Sequence, residues 1–432
     1  MRSLIPWRLA SRGVLAILLL VAAGPVAGSE RIPVAPEVVP SAAPTPASDL
    51  RMALGRLLGE HAYLLMSAMR ADADAAPDAP ALTNGLDANS QALKDAFASV
   101  YGEAAGAAFE PIWRRHIDAS TAYAKAARAG DATGTRAALD ELSAFSKQFG
   151  EFLTGANPKI SPDAEVHAMQ LHLDQLTSFL ENDYQQAFAT QRAAYSHMFD
   201  FGDEIARAIV AQFPDRFPDG AVAFSPRTTL RLTLGRLLGE HLVLAAAAMR
   251  SGLVQGADSS AAVGSISQNS ADLAEAIGRI FGADARDAFA DVWARHIETY
   301  LQYIDAVRAG DAAGRESALE SLHGYHVTLA KFLHDAIPDL SQADVEALIS
   351  HHVTALINQV DAAAAGDEER AVTVTREAYG QMFVVGDALG NGIADEFPDR
   401  FSDVEQIPAT NTEPEQDIVG SCSIHSSSAE AD

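Results

Sequence analysis

The chain of 432 residues repeats itself, and that repeat limits the possible folds more than any composition does. Glu60-His61 returns 180 positions later as Glu240-His241, and Asn89-Ser90 returns as Asn269-Ser270. In the same register Trp113 and His116 fall on Trp293 and His296, Tyr123 on Tyr303, Gly130-Asp131 on Gly310-Asp311, and His172 on His352. A four-residue insertion then moves the offset to 184. After it Tyr195, Met198 and Asp203 meet Tyr379, Met382 and Asp387, and each copy closes with the string FPDRF. A chain built this way needs a fold that one unit of roughly 165 residues can form and that can be set down twice.

Turn signals cut each unit into about six helices. Tyr101-Gly102 ends one helix, and Ala129-Gly130 followed by Asp131 is a glycine stop and then an aspartate N-cap. Asn157-Pro158 breaks the chain again, and Ser161-Pro162 supplies a cap with proline at the first helical position. Strand-like alternation and hairpin dipeptides are nearly absent. The expectation is an all-α protein made of two tandem antiparallel helical bundles, unit 1 over residues 48–217 and unit 2 over 228–401. A short joint, 218–227, implies that the units touch.

The flanks have a different character. Arg2, Arg8 and Arg12 precede the apolar run VLAILLLVAAG, with small residues near Ala27 to Ser29, so residues 1–28 have the form of a cleaved signal peptide. The run is shorter than the roughly 20 residues a membrane span needs, which makes an uncleaved anchor the lesser reading. No later segment is expected to cross a membrane. The expected location is therefore secreted or extracytoplasmic. Residues 29–47 form a Pro-rich tether, and 402–432 a polar tail that carries the single cysteine, Cys422. With one cysteine no internal disulfide can form. The net charge of −27 disfavours nucleic acid and anionic lipid as partners, and no protein partner can be named.

Helical periodicity then decides which side chains face inward. In the first helix Leu54, Leu57, Leu58, Leu64, Leu65 and Ala68 form an apolar stripe, and His61 lies on it. His116 shares a face with Phe109, Trp113, Ser120 and Tyr123. His172 shares one with Val166, Met169, Leu176 and Leu180, and Met198 with Tyr195, Gly202, Ile205 and Ile209. All four lie near the middle of their helices, so in an antiparallel bundle they meet in one layer. His241, His296, His352 and Met382 repeat the arrangement. His197, His167, His323, His326, His334 and His351 do not recur and are assigned to the surface.

Three imidazoles and a thioether suit a transition metal, copper first and iron or zinc next. Glu60, Asn89, Tyr195 and Asp203, with Glu240, Asn269, Tyr379 and Asp387, stand beside them as residues able to orient the rings. The competing interpretation is a metal-free His–Tyr–Asn–Glu hydrogen-bond network that fixes helix register, and haem is a further possible occupant. HExxH, Cys/His clusters, EF-hand loops and paired ExxH helices are absent, as are nucleophile motifs, so no catalytic residue is assigned. The GxxxG of Gly55 and Gly59, repeated at Gly235 and Gly239, is expected to serve close helix packing. The functional expectation is metal storage, buffering or sensing. A structural or adhesive module of the cell envelope or matrix is the alternative.

The elements EH, N-S, YG, W-x-x-H, AGD, F-L-x-x-A-N-P, LHL and QFPDRF together resemble a helical repeat of secreted bacterial proteins. Relatives of that repeat carry a copper amine oxidase label through an attached β-rich module. The resemblance covers 48–217 and 228–401 and implies fold and export. The β-module and the Asn-Tyr-Asp/Glu signature of quinone formation are absent here, so amine oxidase chemistry is not implied. In the second copy FLTGANP becomes FLHDAIP, and the match is looser.

Overall fold

Helix boundaries fall where the chain carries its stop signals. In the computed structural model, which describes residues 46–403 apart from the side chains of 163–165, the first unit comprises α1 (Pro46–Asp74), α2 (Ala79–Tyr101), α3 (Glu103–Ala129), α4 (Ala132–Ala156), α5 (Pro162–Glu181) and α6 (Tyr184–Gln212). The second comprises α7 (Pro226–Val254), α8 (Ser259–Phe281), α9 (Ala283–Ala309), α10 (Ala312–Ala336), α11 (Gln342–Ala364) and α12 (Glu368–Glu396). No strand occurs among the described residues. The fold is all-α. The expected signal peptide, most of the tether, and Cys422 in the tail lie outside the described residues.

Local chemistry explains the joints. A single residue, Gly102, separates α2 from α3, at φ 91°, a backbone region that side chains disfavour; Gly282 repeats it at φ 95°. Gly130 is left-handed at φ 65°, and its N–H reaches the carbonyls of Ala126 and Ala127. Asp131 then caps α4 by accepting from the N–H groups of Thr133 and Gly134. Two boundaries differ from expectation. The first helix begins at Pro46, inside the predicted tether, since proline fits the first turn. The joint also shortens, because Ser225 accepts from Thr228 N–H and starts α7 at Pro226.

Within each unit one helix runs through the middle. α1 packs against α6, α2 and α3, and α7 packs against α12, α8 and α9. Both are therefore buried on nearly every side, Glu60 and Glu240 included. By length and composition α7 is apolar enough to cross a membrane, contrary to the sequence expectation, but most of that stretch is buried within the protein.

The GxxxG pairs do serve close packing. A Cβ on Gly59 would come within 2.3 Å of the Phe199 ring, and one on Gly235 within 2.7 Å of Phe383. No room for a ligand is left beside His61 on that side. Elsewhere the close approach is between backbones: a Cβ on Gly386 would lie 2.5 Å from the Gly235 nitrogen, whereas one on Gly202 would lie 3.2 Å from that of Gly55. Backbone cannot give way as a side chain can. Gly386→Ala is therefore expected to destabilise by about 1–3 kcal/mol despite its better helix propensity. Gly380→Ala, with nothing within 4 Å, is expected to stabilise by up to about 1 kcal/mol. Urea denaturation of the two variants should move the midpoint in opposite directions. Shifts of the same sign would contradict this packing.

The two units touch through surfaces related by a local two-fold. α6 lies against α8 and α12 against α2. The hydroxyls of Tyr195 and Tyr379 pair at 3.1 Å, and the Phe199 and Phe383 rings stack at 6.1 Å and 5°.

Candidate metal centre

Helix periodicity and helix length together place the histidines. His61, His116 and His172 sit at the centres of α1, α3 and α5, and Met198 at the centre of α6. All four are buried, His61 and Met198 completely. His61 and His116 bring their Nε2 atoms to 3.0 Å. The His172 ring lies 6.1 Å from that of His61 and 6.5 Å from that of His116. One nitrogen from each ring falls within 4.8 Å of the others. Two ligands about 2.0 Å from a tetrahedral ion stand about 3.3 Å apart, so the closest pair already has chelating spacing. His172 is the outlying member of the three.

The walls around the rings are apolar. Trp113 packs at 4.6 Å from His61 and 4.5 Å from His116, and Phe145 stacks on His116 at 4.5 Å. Burial accordingly holds the imidazoles neutral. His116 and His172 are pushed down to about 3, His172 partly by His116 beside it. His61 also lies far below its ordinary value, through burial and then its two neighbours. Neutral rings offer lone pairs, which is the form a metal requires.

Hydrogen bonding leaves much of this cluster unsatisfied. His61 Nδ1, both nitrogens of His172 and the indole N–H of Trp113 are buried without a partner. A register-fixing network would pair them, since each unmet buried group costs about 1–3 kcal/mol. The network interpretation loses support here.

The residues expected to orient the rings are engaged elsewhere. Glu60 accepts from the Asn89 side chain at 2.8 Å and from Arg376 of the second unit at 2.9 Å. Glu240 repeats this with Asn269 at 2.8 Å and Arg192 at 3.0 Å. Asp203 and Asp387 each take a two-pronged contact, from Arg51 and Arg231. Those arginines stand three turns from the histidines along α1 and α7, so the aspartates lie away from the cluster. Tyr195 and Tyr379 bond each other and the carbonyls of Arg236 and Arg56. Asn269 spends its amide N–H groups on the Leu237 carbonyl and Glu240, and its Oδ1, like His241 Nδ1, is buried without a partner.

The second unit assembles the same rings more loosely. The Nε2 atoms of His241 and His296 lie 3.3 Å apart, and the His352 ring is 6.2 Å from that of His241. His296 Nδ1 donates to the Trp293 carbonyl, which leaves the Nε2 lone pair to accept from His241 Nε2. His296 and His352 are both pushed down to about 3, burial being the main cause. Met382 is buried at the centre of α12. Among the described residues, only the first unit's rings bring three potential ligand atoms within 4.8 Å.

Several residues escaped the sequence reading. Arg192 and Arg376 recur at the 184 offset, and Arg51 and Arg231 at 180; these recurrences were available as a signal. His326, assigned to the surface, is buried, whereas Val166, assigned inward, is exposed. His197 is half-buried, with Nε2 2.9 Å from the Ala168 carbonyl oxygen. No protein-family model, curated protein or solved structure matches the chain.

Proposed function

We propose that this is an exported tandem-bundle protein that holds a transition-metal ion on His61, His116 and His172, for storage, buffering or sensing. His241, His296 and His352 form a second, weaker site. The carrying observation is the convergence of three buried neutral imidazoles whose nitrogens mostly lack partners. Copper(I) fits best. The cost of burying an ion rises with the square of its charge, and Glu60, the adjacent carboxylate, is committed to Arg376. A dry, uncharged ligand set therefore favours a monovalent ion of low coordination number over zinc(II) or iron(II). The thioethers of Met198 and Met382, buried at the centres of α6 and α12, would strengthen that preference as further ligands.

The test is to load tag-free, metal-stripped protein with Cu(I), Zn(II) or Fe(II), dialyse it, and count metal per chain by elemental analysis. Cu(I) should be retained best, at one to two ions per chain. His172→Ala should weaken the tighter site by more than about 10–100-fold, the range for losing an outer partner of a ligand. Saturation at 100 times Kd should add about 2.7 kcal/mol of stability. No retained metal and an unchanged melting temperature would overturn the proposal in favour of a metal-free scaffold. A Soret band would indicate haem.

A further inference from the structure

The two units differ most in how they fill the space beside the third histidine. In the first, an apolar cavity of about 40 Å³ is lined by Phe97, Phe109, Phe149 and Phe201; among its described lining residues are neither His172 nor Met198. The matching cavity of the second unit is about 70 Å³ and extends to His352 and Met382. Three substitutions between the copies explain this: Phe97, Phe149 and Phe201 are replaced by Ile277, Leu329 and Val385, all of which line the larger space. Each exchange removes most of a ring from a packed interior, and such volume is only partly recovered by relaxation. Leu340, Val385 and Leu389, half-buried, form the outer side of the cavity.

This space has few polar features, all on its deep side: His352, the indole N–H of Trp293 and the Tyr325 hydroxyl. Both nitrogens of His352 and the Trp293 indole N–H are buried and unpartnered, whereas most of the remaining lining is aliphatic and aromatic. An apolar cavity with its few hydrogen-bonding groups gathered at one end matches an uncharged, apolar-bodied molecule that carries one polar group. The volume is about half that of the ~150 Å³ engineered cavity that holds benzene, which limits the guest to about four heavy atoms. Charge is disfavoured, because nothing in the lining would compensate it.

We infer that the second unit binds a small uncharged molecule of this kind, a short-chain alcohol being the simplest representative, in the cavity that α7 to α12 enclose, with His352 as its polar contact. The first unit, sealed by its three phenylalanines, does not. This inference does not depend on metal binding and is tested on metal-stripped protein.

The probe is 1-propanol, followed by ligand-observed NMR and by thermal melts, with propionate and propylammonium as charged isosteres. Saturable millimolar binding of the alcohol alone is expected. Leu329→Phe with Val385→Phe, which restores the first unit's residues, should weaken binding at least tenfold. The reciprocal pair, Phe149→Leu with Phe201→Val, should create a second equivalent of binding, so a poorly folded filled variant would not leave the question open. Equal binding to the wild-type and filled proteins, or equal binding of the charged isosteres, would overturn the inference.

Discussion

Acidifying the metal-free protein from pH 7 to about pH 5 is expected to unfold it, well before most carboxylates are protonated. His116, His172, His296 and His352 are held at about 3 in the folded protein, against an ordinary value of 6.5, and His61 and His241 are also far below it. Between 6.5 and 3 the unfolded chain therefore binds protons that the folded chain refuses. Stability is complete above 6.5 and falls as the pH drops through this window, by about 1.4 kcal/mol per pH unit for each ring. One unit below 6.5, four such rings remove about 6 kcal/mol, comparable to the whole stability of many domains. Far-UV circular dichroism should show a cooperative loss of helix in this range. His172→Leu with His352→Leu should shift the midpoint to lower pH, and so should saturating metal, which competes with protons for the same lone pairs. Helicity that persists to pH 3, or ring protons titrating near 6.5 in the folded state, would show that the imidazoles are not desolvated.

Much of this arrangement was legible in the sequence because helical geometry is local. Gly102 and Gly130 with Asp131 mark helix ends through backbone conformation and a side-chain cap that need no distant partner. A residue on the apolar stripe at the middle of a helix must enter the layer shared by its neighbours, and His61, His116 and His172 do so. The flanking polar residues were not legible, for a reason visible in α1. Periodicity separates an inner face from an outer one, but α1 is covered on both sides, by its own unit and by α12 and α7 of the other. Glu60 therefore turns towards Arg376, 316 positions away, rather than towards the imidazole beside it. Val166 and His326 fail differently. Near helix ends or in helices with one shallow face, a rotation of a few tens of degrees exchanges inside for outside. The larger cavity of the second unit depends on Phe97, Phe149 and Phe201 becoming smaller, a volume change that no His spacing records.

Removing the guanidinium of Arg192 is expected to cost about 3–5 kcal/mol, because it leaves the Glu240 carboxylate buried with only Asn269 to satisfy it. Both members of the pair are well shielded, at 17% and 4% side-chain exposure. Arg376→Met should act alike on Glu60, where the exposures are 24% and 5%. The surface pair Arg114–Asp87, at 41% exposure on each side, should contribute less than about 1 kcal/mol. The decisive comparison is Arg192→Met against Arg192→Met with Glu240→Gln. The second change removes the stranded charge and should recover most of the loss, which a mere packing defect at Arg192 would not allow. Urea denaturation with coincident signals from both units would give these values directly. The outcome also decides what joins the two copies. Arg192–Glu240 and Arg376–Glu60 flank the Tyr195–Tyr379 contact on its two sides, so a large penalty at either would mean that the units fold as one body. A small penalty, or separate transitions for the two halves, would mean that the apolar stacking of Phe199 on Phe383 holds them together while the ion pairs only set their register.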